Sequence, residues 1–206
     1  MKKLISLLIV FVLAVSFSAC SSAKGNAVSN TSASEKESQS EITTENKKDE
    51  NILVAYFTWS GNTKEMAEYI AEQTSADLLE IKPSTPYPDD YEKTGDIAKD
   101  ERDNNARPQI DNLPSSLEKY DKIFIGYPIW WHTAPMIIGT FLESYDLSKK
   151  EIYPFTQSSS MDTEQFQNSM DFVRKSAKDA DVKDGLFVNA NDKNGIDSYL
   201  KENNFI

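Results

Sequence analysis

The chain is poor in several residues that carry chemistry. Its 206 residues include one cysteine, Cys20, and one histidine, His132. One cysteine cannot close an intrachain disulfide, and one Cys with one His cannot make a zinc site of the usual kind. A Ser-His-Asp mechanism would have to use His132. Basic residues are scarce as well: 22 Lys and Arg against 33 Asp and Glu leave a net charge of −11. Phosphate backbones repel so acidic a chain, which argues against nucleic-acid binding. None of the seven glycines belongs to a GxGxxG fingerprint, and no Gly-Lys-Ser/Thr phosphate loop is present. Ser116-Leu117-Glu118-Lys119 matches SxxK but lacks the companion motifs of penicillin-binding enzymes, so it is read as chance.

What is present divides the chain into three parts. Met1–Lys3 is basic and Leu4–Phe17 is an almost unbroken apolar run. At about 1.5 Å per residue this run falls short of a bilayer core of roughly 30 Å, so residues 1–19 read as a signal segment rather than a spanning helix. The run ends in Phe17-Ser18-Ala19-Cys20, which resembles a bacterial lipobox and makes Cys20 the expected lipidation site. Residues 20–50 are rich in Ser, Thr, Glu and Lys, without an aromatic residue. They cannot bury enough surface to offset chain entropy and read as a tether. Residues 51–206 hold 16 basic and 27 acidic residues, so the expected folded domain carries the acidity.

Within that domain, short apolar runs alternate with helical patterns. Strands are predicted at 51–57, 78–81, 122–126, 152–155 and 185–188. Helices are predicted at 62–75, capped by Asn62 or Thr63, and at 89–103, 133–145, 162–177 and 191–203. Five strands alternating with helices imply an α/β fold with a parallel sheet covered on both faces.

Ligands of such sheets bind beyond the carboxyl ends of the strands. The loop after the first strand is Thr58-Trp59-Ser60-Gly61-Asn62-Thr63. Its hydroxyls, amide, glycine and helix-start N–H groups suit a phosphate without needing a cationic side chain. After the third strand come Pro128-Ile129-Trp130-Trp131 and His132. Two adjacent tryptophans cannot both enter one core, so at least one lines a surface or pocket, where it could stack on a planar heterocycle. His132 reads as solvent-facing or structural rather than catalytic. After the fourth strand, Thr156-Gln157-Ser158-Ser159-Ser160 offers hydroxyls and N–H groups, either to the rim of a heterocycle or simply to cap the helix at Asp162.

The TWSGNT loop and the GYPIWW segment resemble the flavodoxin family, in particular a bacterial branch with Tyr-Pro-Ile-Trp-Trp in its second flavin loop. The resemblance covers residues 51–206. It implies a flavodoxin-like three-layer sandwich, with a five-stranded parallel sheet in the order 2-1-3-4-5, and non-covalent FMN. It assigns Thr58, Ser60, Gly61, Asn62 and Thr63 to the FMN phosphate, with Trp59 in the same loop. Pro128, Ile129, Trp130 and Trp131 would border the ribityl chain and ring, and Thr156, Gln157, Ser158 and Ser159 the pyrimidine end. Relatives usually have Thr-Ser-Gly-Gly-Ser in that third loop. Here Gln157 and Ser159 stand where Ser and Gly are usual. The segment from Tyr87 to Tyr91, with Arg107-Pro108, also resembles a stretch of this branch, either covering the flavin, shaping a substrate site, or forming a solvated helix and loop.

Such a protein would transfer electrons, or reduce a small molecule, outside the cytoplasm while lipid-anchored to the cell membrane. No residue need act as catalytic acid or base. A basic redox partner protein or a small-molecule acceptor would suit its charge. The contrasting possibility is a lipoprotein that keeps the fold for binding or interaction and no longer holds flavin.

Overall fold

Apolar runs build the centre of the sheet. The computed structural model describes residues 51–206. The predicted signal segment, Cys20 and the tether to residue 50 lie outside the described residues. β1 (Ile52–Tyr56), β3 (Lys122–Pro128) and β4 (Glu151–Gln157) are almost wholly buried. Each has apolar neighbours on both faces, so its sequence runs apolar instead of alternating. β2 (Asp77–Glu80) pairs outside β1 and is more exposed. All pairings are parallel, in the order β2-β1-β3-β4 followed by a fifth position, as expected.

Period-2 alternation along the strands sorts side chains into two layers. Leu53, Ala55, Ile123, Ile125 and Ile152 face one way, onto α3 (Met136–Glu143) and α4 (Thr163–Ser176). Val54, Tyr56, Phe124, Tyr153 and Phe155 face the other, onto α1 (Asn62–Thr74) and α5 (Lys193–Glu202). The remaining helix, α2 (Tyr91–Asp103), lies in the long excursion between β2 and β3. After it, the chain runs back along the end of β2. Asp111 N–H donates to the Lys82 carbonyl at 2.9 Å, and Asn112 Nδ2 to the Glu80 carbonyl at 2.6 Å.

Two expectations need correction. The fifth strand, expected at 185–188, is two pieces: β5 (Asp181–Val182) beside Glu151–Ile152, and β6 (Leu186–Phe187) beside Phe155–Thr156. Pro154 explains the break. Ile152 accepts from Lys183 N–H at 2.9 Å, so it bonds towards the fifth position. Its alternate neighbour at 154 would bond the same way, and proline has no N–H to give. The helix expected from Thr133 begins at Met136, because Thr133 exchanges two backbone hydrogen bonds with Trp130 (2.9 and 3.0 Å) in a tight turn.

Gly126 sets the closest approach between β3 and β4. It pairs in register with Phe155, and a Cβ there would lie 2.1 Å from the Phe155 ring. That ring is fully buried and cannot swing into solvent. Gly126→Ala is expected to destabilise the fold by about 1–3 kcal/mol through overpacking. Urea unfolding checks this; an unchanged midpoint would show that the core yields there without strain.

Candidate functional site

Strand length creates the platform for the site. β1, β3 and β4 are neighbours, and Tyr56, Gly126 and Phe155 stand level with one another. β3 and β4 continue two residues further, to Pro128 and Gln157. At about 3.3 Å per residue this is a step of roughly 7 Å above the end of β1. The first loop therefore lies in a recess beside the overhanging second and third loops. β2 and β3 flank β1 on opposite sides, so the recess lies at the point where the strand order reverses.

The recess holds an unsatisfied helix start. Asp90, Asp162 and Asp192 cap α2, α4 and α5 with side-chain hydrogen bonds, whereas α3, entered through Pro135, has no side-chain cap. Neither Asn62 nor Thr63 caps α1: its N-cap is Gly61, left-handed at φ 94°, with no side-chain hydrogen bond. Thr58 Oγ1 instead accepts from Gly61 N–H at 3.1 Å and closes the loop beneath the helix. Thr63 is 1% exposed, and its hydroxyl has no hydrogen-bond partner within the protein. Burying an unpartnered hydroxyl is costly, and Thr140 in α3 carries another; at Thr63 an acceptor placed at the start of α1 would relieve that cost. Lys64, the nearest cation in sequence, faces Glu68 at 3.7 Å. N–H groups and the helix dipole must therefore meet any anion held here.

The second loop turns through Trp131 and His132, both left-handed at φ 46° and 67°. Pro128 is buried, Ile129 and Trp130 are partly buried, and Trp131 and His132 are exposed. Trp130 is clamped edge-on by Phe57 (5.3 Å) and Tyr87 (5.1 Å). Trp131 is 40% exposed and is the tryptophan of this pair that lines the surface. In the third loop Thr156 is fully buried and its hydroxyl donates to the Tyr127 carbonyl, so its side chain faces the core rather than the recess. Gln157 ends β4, and Ser158 Oγ accepts from Met161 N–H at 3.1 Å. Met161 is left-handed and Ser159 is not, so the serine in place of glycine carries no backbone strain.

The sequence profile of the flavodoxin family matches residues 51–203. The chain belongs to the flavodoxin family. Among solved structures, a candidate flavoprotein of Bacteroides eggerthii is 34% identical over 74% of this chain and 96% of its own, with a TM-score of 0.66. A second candidate flavoprotein, from Bacteroides uniformis, is 30% identical over 75% of this chain and 99% of its own, with a TM-score of 0.67. A flavoprotein of Lactobacillus acidophilus, solved in complex with FMN, is 28% identical over 73% of this chain and 98% of its own, with a TM-score of 0.57. No curated protein matches the chain.

In this flavodoxin the 87–103 segment is tied to both of the first two loops. The Trp59 indole donates to the Pro88 carbonyl at 2.9 Å, and the Trp131 indole to the Gly95 carbonyl at 2.6 Å. Arg102 donates to the Trp131 carbonyl at 3.2 Å and lies 5.4 Å from its ring. Gly95 and Arg102 thus hold Trp131 in place, contacts that sequence reasoning missed. The acceptors are backbone carbonyls, which no residue pattern marks. Below them, the Tyr87 hydroxyl reaches both carboxylate oxygens of Glu101 at 2.8 and 3.0 Å. Burial raises the Glu101 pKa from its ordinary 4.5, against the opposing effect of the tyrosine hydrogen bond.

A raised carboxyl pKa means that the folded protein holds this proton more tightly than the unfolded chain does. Glu101 therefore favours folding at acid pH and loses that contribution as pH rises above 4.5. Glu101→Gln is expected to gain stability relative to the parent between about pH 4 and about pH 7. Urea midpoints at the two pH values check the sign, and a parallel pH dependence in parent and variant would contradict it.

Proposed function

We propose that the domain binds FMN non-covalently and works as a redox protein, carrying electrons or reducing a small molecule. The observation that carries this reading is the buried, unpartnered Thr63 hydroxyl at the uncapped start of α1. An FMN phosphate would supply the missing acceptor and lie against the positive end of the helix. Bound flavin supplies hydride or single-electron chemistry. The chain's own residues bind and orient it. Thr58, Ser60, Gly61, Asn62 and Thr63 hold the phosphate, and the Thr58 hydroxyl proton stays available to donate because its oxygen accepts from Gly61. Trp59, Ile129, Trp130 and Trp131 provide aromatic and aliphatic walls that exclude water. Gln157, Ser158 and Ser159 provide polar groups at the rim.

Titrating the apo protein with FMN tests this directly, with the flavin's visible absorption band and its fluorescence as readouts. Saturable binding is expected. Thr63→Val should weaken it about tenfold or more, the worth of a hydrogen bond to a charged group. The same substitution should leave the apo fold as stable as before, because it removes an unsatisfied polar atom. Protein that stays colourless in excess FMN would overturn the reading in favour of a non-redox binding role.

The acidic domain suits a basic redox partner or a diffusible small-molecule acceptor. We further propose that Cys20 carries lipid and that the domain works at the outer face of the cell membrane on a tether running to residue 50. The apolar run and the Phe17-Ser18-Ala19-Cys20 sequence support this. Cys20→Ser is expected to move the protein from the membrane to the soluble fraction on fractionation, and unchanged membrane retention would rule the anchor out.

A further inference from the structure

A second recess, of about 340 Å³, opens beside the flavodoxin loops and is built from other segments. Pro83, Pro86 and Tyr87 come from the loop after β2, Ile97 and Glu101 from α2, and Pro108 from the returning chain. The rims are fastened together by the Ser84 N–H bond to the Gln109 carbonyl (2.9 Å) and by the backbone bridge between Pro83 and Ile110. Proline-rich walls held this way lose little freedom when a ligand enters.

The polar end of the recess is one-sided. Glu101 is partly buried, and the two oxygens share a single hydroxyl donor from Tyr87. A carboxylate has about four acceptor positions, so most of its capacity is unused. None of the ion pairs among the described residues includes Glu101. The cations around it are engaged elsewhere. Arg107, on the same lining, grips Glu143 through two 2.7 Å bonds and also donates to the carbonyls of Asn105 and Ala106. Lys99 and Arg102 both reach Asp103.

We propose that this recess binds a small organic cation, a primary ammonium on a compact apolar body, with the ammonium on Glu101 and the body against Pro83, Pro86, Ile97 and Pro108. The complement follows from the walls: apolar surface for the body, and one negative charge without a cation of its own. Binding an ammonium removes the isolation that makes the carboxylate costly to bury. A domain at −11 also gathers cations and repels anions. The site is independent of the flavin loops, although Tyr87 packs edge-on against both Trp130 and Phe57, at 5.1 and 5.7 Å.

Benzylamine, benzyl alcohol and benzoate share one ring and differ in charge, so they serve as probes. Amide shifts of the full chain are followed by NMR. Benzylamine is expected to shift Ile97, Glu101, Ala106 and Gln109 saturably, and to bind about tenfold more tightly than benzyl alcohol, the worth of a charge-assisted hydrogen bond. Benzoate should not bind. Glu101→Gln keeps the shape and the acceptor for Tyr87, and should bring benzylamine down to the affinity of benzyl alcohol. Equal affinities for the amine and the alcohol in the parent protein would overturn the proposal. So would benzylamine shifts elsewhere, no benzylamine binding, or a Glu101→Gln variant that binds it as well as the parent.

Discussion

The N–H groups at the start of α1 are the constraint on which the site depends. A helix leaves its first N–H groups without partners inside the helix. α2, α4 and α5 answer this with aspartates at the cap. α1 has no such side chain, and Thr58 is used on Gly61 instead. The left-handed turn at Gly61 lets the chain enter the helix abruptly after the short loop that follows β1. The result is an anion-seeking feature made of backbone, with Thr63 buried beneath it. It can exist in a strongly acidic domain because it does not rely on a surface lysine or arginine, each of which could be drawn to a nearby carboxylate, as Lys64 is to Glu68.

The neighbouring loops are held by contacts that reach far along the chain. Trp131 and His132 occupy left-handed backbone, which costs non-glycine residues roughly 1–2 kcal/mol each. The paired bonds between Trp130 and Thr133, and the indole bond from Trp131 to Gly95, offset that cost. α2 is thereby more than a surface helix. It carries a carbonyl for the Trp131 indole, and the loop before it carries one for Trp59. Its opposite side contributes Glu101 and Ile97 to the second recess. One helix thus connects the proposed flavin loops to a separate wall of apolar and acidic groups.

Much of this was legible in the residues. The runs around Val54, Phe124 and Phe155 announce buried parallel strands, and the polar TWSGNT loop behind the first of them marks where α1 begins. The start of the fourth helix, predicted at Asp162, falls within one residue of the observed Thr163. What could not be read depends on partners remote in sequence. Pro154 interrupts a neighbouring strand, not its own, so the split of the fifth strand is invisible locally. Thr133 looks like a helix start until Trp130 claims both its N–H and its carbonyl. Thr156 looks like a loop hydroxyl, but it is drawn into the core by the Tyr127 carbonyl. Glu101 is one acid among many on a charged helix. Only the folded chain reveals that the nearby cations serve other carboxylates.

The interruption at Pro154 has a further effect on how copies of the domain meet. A β-sheet border invites another chain to add a strand when it offers a long, straight row of free N–H and carbonyl groups. On one side this sheet ends in two pieces of two residues each, too short to template a partner. On the other, the Glu80 and Lys82 carbonyls at the end of β2 are already taken by Asn112 and Asp111. Both borders therefore offer a second copy only a short row of backbone groups to pair with.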